Sequence, residues 1–173
     1  KIKGNSNPTP FITNIDYNAR AQREQIYYGN NTTTRYEYDR ETYRLTRLIT
    51  TAGNGSRILQ DLSYVFDPSG NITRQLDNAQ KTLFYGGQQI EAESNYYYDA
   101  IYRLIEAGGR EHAGQAGVNT TDNFNDDWSK LALQPNSPLQ LRNYIQKYFY
   151  DGAGNMLKIQ HIAGNPGNWT RNF

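Results

Sequence analysis

Tyr148-Phe149-Tyr150-Asp151-Gly152-Ala153-Gly154-Asn155-Met156-Leu157 is the stretch on which the fold turns, because versions of it recur upstream. Tyr64-Val65-Phe66-Asp67-Pro68-Ser69-Gly70-Asn71-Ile72 is one, and Tyr96-Tyr97-Tyr98-Asp99-Ala100-Ile101-Tyr102-Arg103-Leu104 is another. Each has two aromatics spaced two apart, then Asp, then a short polar reversal into an apolar run. Side chains of an extended strand alternate between its faces, so Tyr64 and Phe66, Tyr96 and Tyr98, and Tyr148 and Tyr150 each share a face. The Asp ends the strand and opens a turn.

Two earlier copies are looser. Tyr36-Glu37-Tyr38-Asp39 leads into a turn one residue longer, with Tyr43 to Thr50 as the return. Phe11 to Tyr17 carries Asn18 in the Asp position, and Gln25-Ile26-Tyr27-Tyr28 returns from it. In the third copy Asp67, Pro68 and Gly70 stand where a type I turn followed by a left-handed residue prefers them. Gly154 fills the same place in the fifth copy. Tyr102 stands there in the fourth, and a bulky side chain suits a left-handed conformation poorly. The repeats are therefore expected to differ most in backbone shape at this position.

The order along the chain follows. Residues 1–10 read as a connecting segment and 11–106 as tandem hairpins. Residues 107–143 lose the period and read as an irregular insertion, with a short helix near Asp126-Asp127-Trp128. Residues 144–173 read as a further hairpin and the start of the next strand. Within the hairpin region, Thr82-Leu83-Phe84-Tyr85 suggests one extra strand, with Gly86-Gly87 opening a loop.

Composition narrows the function. The chain has 173 residues, a formal charge of +1 and no cysteine. That balance gives no electrostatic footprint for nucleic acid, and the missing thiols remove disulfides, thiolate zinc sites and Cys nucleophiles. No apolar run reaches the ~18 residues of a membrane span, so no membrane insertion is expected of this segment. The chain does not begin with Met and reads as a piece of a longer polypeptide. Mean hydropathy is −0.87, yet 15 tyrosines supply rings that can be buried while their hydroxyls find partners. A thin sheet held by tyrosine is the expectation.

Candidate chemistry is sparse. Asp39, Asp67, Asp99 and Asp151, with Asn18, are expected to cap their own turns rather than to bind calcium, because a hard cation needs six or more converging oxygens. His112 and His161 lack any metal or catalytic spacing and read as surface or packing residues. Asp126 and Asp127 are adjacent, so their side chains diverge instead of flanking a scissile bond. No catalytic residue, metal or cofactor is expected. The aromatic ladder of Tyr36, Tyr38, Tyr64, Phe66, Tyr96, Tyr98, Tyr148 and Tyr150 is expected to be structural, each cross-strand pair contributing ~0.2–1 kcal/mol. Exposed stacked rings would instead suit sugars.

The array of Tyr-x-Tyr-Asp turns followed by Gly-Asn or Arg-Leu resembles the YD-repeat, or Rhs, superfamily. Leu59-Gln60-Asp61-Leu62-Ser63-Tyr64, Gly109-Arg110-Glu111-His112-Ala113-Gly114 and Arg142-Asn143-Tyr144 are similar to the Rhs-repeat portion of toxin-complex (Tc) insecticidal toxins and related large secreted toxins. The resemblance implies an all-β fold of antiparallel hairpins in a twisted, spiral sheet, part of a larger hollow shell. It implies a non-catalytic structural role, with the rest of the parent polypeptide and an enclosed toxin or effector domain as partners. It further implies a secreted or cell-surface location. The aspartates with which family members release their toxin are not found here, so self-cleavage is not expected. The alternative function is a carbohydrate- or cell-surface-binding module using exposed tyrosines. An isolated piece of such a sheet has unpaired edges and is expected to self-associate edge to edge.

Overall fold

A computed structural model describes residues 10–114, 139–165 and 167–173. The strands are β1 (Ile12–Tyr17), β2 (Arg23–Tyr28), β3 (Thr32–Tyr38), β4 (Leu45–Ala52), β5 (Arg57–Phe66), β6 (Ile72–Asp77), β7 (Leu83–Tyr85), β8 (Gln88–Ile90), β9 (Glu93–Tyr98), β10 (Leu104–His112), β11 (Leu141–Tyr150), β12 (Met156–Ile162) and β13 (Trp169–Asn172). They fall into two compact units, Lys1–Gln80 and Lys81–Phe173. In the first, β1 to β6 each pair antiparallel with the next strand in sequence. In the second, β9 to β13 do the same, and β7 with β8 makes a small separate hairpin. The architecture is the tandem-hairpin all-β fold that the repeats predict.

The five repeat turns close with the same main-chain bond, the second over one extra residue. The N–H of Asn18, Asp39, Asp67, Asp99 and Asp151 donates to the carbonyl of Gln22, Arg44, Asn71, Arg103 and Asn155, at 2.9, 2.9, 2.9, 2.9 and 3.0 Å. The residue before each of those acceptors has positive φ: Ala21 60°, Tyr43 58°, Gly70 104°, Tyr102 65° and Gly154 94°. Glycine or not, every copy takes the left-handed conformation here, with the two glycines at larger φ than the three other residues. Tyr102 stands in the left-handed region between Ile101 and Arg103, whose amides donate to Asp99 Oδ1 at 3.0 and 2.9 Å. A non-glycine residue there costs about 1–2 kcal/mol, and glycine's extra unfolded-state entropy returns roughly half of it. Tyr102 is 60% exposed. Tyr102→Gly is therefore expected to raise stability by about 0.5–1 kcal/mol in urea unfolding; a decrease would mean that its ring makes contacts worth more than the strain.

A second shared feature left no trace in the sequence reading. Each return strand carries one unpaired residue beside its first pair: Glu24, Thr46, Thr73, Ile105 and Leu157. A bulge at a fixed place increases the right-handed twist at every hairpin by a similar amount. Thr46 and Thr73 hydroxyls donate back across the strand to the carbonyls of Glu37 and Val65, at 3.1 and 3.3 Å.

Each sheet is one layer, so little is fully buried. Among the described residues Ile26, Ala107 and Ile90 are the buried apolar ones, at 4%, 5% and 0% exposure. Ile90 belongs to the β7–β8 hairpin, where the sequence suggested one strand and a loop. Gly86 and Gly87 have φ of 59° and 77°, the two positive values of a type I′ turn, and they bring Gln88 to Ile90 back as a second strand. Asn143 Nδ2 fastens this hairpin by donating to the Gln89 carbonyl at 3.1 Å. The expected insertion also shrinks at both ends: β10 continues through His112 and β11 begins at Leu141, so 107–112 and 141–143 are strand. The helix expected near Asp126 lies outside the described residues.

Candidate functional site

The acids at the repeat turns set their geometry through hydrogen bonds to the turn amides. Asp67 Oδ1 accepts the amides of Gly70 and Asn71 at 2.7 and 2.9 Å, while Asn71 Nδ2 donates to Oδ2 at 2.8 Å. Asp151 Oδ1 accepts the amides of Ala153 and Asn155 at 2.9 and 2.8 Å, and Asn155 Nδ2 donates to Oδ2 at 2.8 Å. Asp39 takes the amides of Glu41 and Thr42 at 3.1 and 2.6 Å, and Asn18 serves its turn through the amides of Arg20 and Gln22. Among the described residues no group of three or more His, Cys, Asp or Glu is placed to hold a metal.

These bonds hold the carboxyls below their ordinary range. At Asp67 and Asp151 the leading cause is the Asn side chain, at Asp39 the Thr42 amide. At Asp99 desolvation pushes upward and the Arg103 bonds outweigh it. A carboxyl depressed in the fold adds stability above its unfolded value of about 3.9, and that stability is lost as pH falls through the lower folded value. The melting temperature is accordingly expected to hold down to about pH 4 and to fall below it. A flat profile from pH 5 to 2.5 would contradict the turn assignment.

Successive turns within a unit are joined. Arg44 closes the second turn and reaches the third, Nη1 donating to the Asp67 carbonyl at 2.8 Å and Nη2 to the Pro68 carbonyl at 3.0 Å. Its guanidinium lies 5.8 Å from the Phe66 ring centroid. Arg103 closes the fourth turn and repeats the arrangement, donating to the Asp151 carbonyl at 3.3 Å with the Tyr150 ring 4.9 Å away. Gln22, at the same place in the first turn, donates to the Tyr43 carbonyl at 2.9 Å. Bonds also run backward: Tyr38 hydroxyl donates to the Arg23 carbonyl at 2.9 Å and Tyr150 hydroxyl to the Leu104 carbonyl at 2.8 Å. Arg23 and Leu104 hold equivalent places, opposite Tyr17 and Tyr98. The Arg-Leu dipeptides after Tyr43 and Tyr102 were the available sequence signal for this clasp.

The ladder aromatics do share faces, yet their direct cross-strand partners are not aromatic. Tyr36 faces Leu48, Tyr38 Leu45, Tyr64 Gln75 and Phe66 Ile72. Tyr96 faces Ala107, Tyr98 Leu104, Tyr148 Ile159 and Tyr150 Met156. Within each unit a return strand stands between one copy's rings and the next, so the rings are not paired directly with one another. All eight are half-buried, whereas Tyr17, Tyr97 and Tyr102 are the tyrosines above half exposure, at 56%, 57% and 60%.

Two buried polar clusters escaped the sequence reading. Asp61 is 5% exposed and bound by Arg47 through Nε and Nη2 at 2.7 and 2.8 Å, which lowers its carboxyl, chiefly through that hydrogen bond. In the second unit the His161 ring stacks between Tyr144 and Trp169, with centroids 5.0 and 4.9 Å away. Gln146 Nε2 lies 3.2 Å from His161 Nδ1 and Arg142 Nε donates to Glu111 Oε1 at 2.7 Å. His161 Nε2 stands 3.0 Å from Glu111 Oε2, but at an angle outside hydrogen-bond geometry. A trough of about 760 Å³ crosses the ladder face of the first unit at the small residues Thr34 and Thr50, walled by Phe11, Tyr28, Tyr36 and Leu48.

No protein-family model matches the chain. Two toxin subunits of Yersinia entomophaga are similar to it: YenC1, 36% identical over 169 residues, and YenC2, 37% identical over 168. Each alignment covers 94% of this chain, which spans 16% and 17% of the respective relatives' length. Among solved structures, TcdB2-TccC3-TEV superposes with a TM-score of 0.69 at 31% identity, covering 94% of this chain and 7% of that one. TcdB2-TccC3 without its hypervariable C-terminal region gives the same TM-score, identity and coverage.

Proposed function

Since the chain is a YD-repeat (Rhs) segment of the kind found in Tc toxins, we propose that it is a stretch of shell wall that encloses a toxin or effector segment and helps deliver it. The wall does no bond chemistry in this reading; it works by exclusion. Single-layer sheets closed around a cargo keep proteases and folding partners away, and release of the cargo then requires the wall to open. Secretion as part of the larger polypeptide belongs to the same proposal, as does the enclosed domain as partner.

The observation that carries the reading is the clasp between successive turns. A wall must resist parting between hairpins, where main-chain bonds alone would leave each pair free to fray at its turn. Arg44, Arg103 and Gln22 tie those ends from one repeat to the next. The test is limited proteolysis of the full polypeptide that contains this segment, beside its C-terminal region expressed alone. Protection of that region only in the full chain is expected; equal cleavage rates in both would overturn enclosure.

A further inference from the structure

Asn54-Gly55 is the only Asn-Gly dipeptide in the chain, and it stands exposed in the turn that joins β4 to β5. Its residues have φ of 56° and 88°, the two positive values of a type I′ turn. One main-chain bond closes that turn, from the Ser56 amide to the Gly53 carbonyl at 3.2 Å. Among the described residues no group holds the Asn54 carboxamide or the Gly55 N–H. A Cβ built at Gly55 would meet nothing within 4 Å, so the peptide nitrogen is open to approach. The repeat turns differ in both respects. Asn71 and Asn155 tie their carboxamides to Asp67 and Asp151, each at 2.8 Å, and the nitrogen that follows belongs to Ile72 or Met156, which carry the side chains that Gly55 lacks.

We propose that Asn54 is a site of spontaneous deamidation, at which this hairpin gains a carboxylate and, in part of the molecules, an isoaspartyl link. The Gly55 amide nitrogen attacks Asn54 Cγ. The new N–Cγ bond closes a five-membered imide, the Cγ–Nδ2 bond breaks, and Nδ2 leaves as ammonia, taking the proton that the Gly55 amide gives up. Water then opens the imide at either carbonyl. One opening leaves aspartate; the other leaves isoaspartate, in which the main chain runs through the former side chain. Attack requires the turn to relax, and only the Ser56 amide bond resists, which slows the reaction by about two- to tenfold relative to the unfolded chain. Asp151-Gly152 is the chemical counterpart, since a glycine nitrogen also follows it. Bonds from Asn155 Nδ2 and from the amides of Asn155 and Ala153 hold its carboxyl below the ordinary range, and an ionised carboxylate offers no leaving group to that nitrogen. Isoaspartate at Asn54 lengthens the main chain of the turn and so works against the Ala52 and Arg57 pair beside it.

The experiment is peptide mapping by mass spectrometry of the full chain, incubated folded at mildly alkaline pH in water enriched in heavy oxygen. The peptide over Asn54 should convert to an acid form carrying the heavy label, as separate aspartyl and isoaspartyl products, at a rate about two- to tenfold below that of the same chain unfolded in urea. Over the same interval Asn71 and Asn155 should keep their amides, and Asp151 should yield no isoaspartate. Asn54→Gln, whose longer side chain closes a less favoured six-membered ring, should keep its amide. The folded-to-unfolded comparison of the native chain carries the test should that variant fail to fold. An Asn54 amide that outlasts the interval as those of Asn71 and Asn155 do, or labelled aspartate with no isoaspartate beside it, would overturn the proposal.

Discussion

Replacing Arg47 with methionine is expected to cost about 3 kcal/mol at neutral pH, because it leaves the Asp61 carboxylate charged and nearly sealed from water. Asp61 is 5% exposed, and both its oxygens are engaged by the one guanidinium. Methionine keeps most of the apolar stem, so the loss reads the charge pair more than packing. The pH dependence separates the two. In the native chain Arg47 lowers the Asp61 carboxyl, so the pair's contribution is complete above the unfolded value of about 3.9 and disappears as pH falls through the folded one. The gap between native and variant in urea midpoints should narrow below about pH 4. The double variant Arg47→Met with Asp61→Leu should be more stable than Arg47→Met alone, since no charge is then left buried. A gap independent of pH, with no recovery in the double variant, would show that packing sets the cost.

His161→Ala is the second large effect, about 2–4 kcal/mol. It removes a ring that is 4% exposed and fills the space between Tyr144 and Trp169, and it takes away the acceptor facing Gln146. Tyr144 also covers Gly109, where an added Cβ would come within 3.0 Å of the Tyr144 hydroxyl. The cavity therefore opens under three adjacent strands, β11, β12 and β13, and the outermost, β13, should fray first. Urea unfolding followed by near-UV circular dichroism measures the loss of stability and of the stacked aromatic signal together. A change below about 0.5 kcal/mol would mean that the rings close over the gap.

Much of the fold was legible because its signals are local. The spacing of two between Tyr64 and Phe66, or Tyr148 and Tyr150, sets the strand phase, and Asp67 and Asp151 cap the turns that follow. Consecutive short turns then leave each strand little choice but to pair with its neighbour in sequence. What could not be read is set by register and by contacts across repeats. The unpaired Thr46 and Thr73 are ordinary strand residues in sequence, and only pairing shows that they stand outside it. Tyr102 appeared incompatible with a left-handed turn when judged alone; it takes that conformation all the same, between two amides bound to Asp99, at a cost the fold carries. Gly86-Gly87 was the plain miss, since two adjacent glycines between short apolar runs already signal a hairpin.

The site was half legible. Asn18, Asp39, Asp67, Asp99 and Asp151 cap turns as their spacing suggested, but the residue that joins one turn to the next comes four or five positions later. Arg44 and Arg103 sit in Arg-Leu dipeptides whose direction of reach no linear pattern states. His161 and Glu111 are far apart in sequence and meet only because β10, β11 and β12 are adjacent.

The central claim is that these hairpins are a clasped piece of a continuous enclosing wall, and electron cryomicroscopy of the full polypeptide tests it most directly. The account predicts that the outer edges of β1 and β13 are hydrogen-bonded to strands of neighbouring repeats, with the sheet lining an enclosed space that holds cargo density. Outer edges of β1 and β13 bare to solvent, with the downstream segment folded outside, would contradict it.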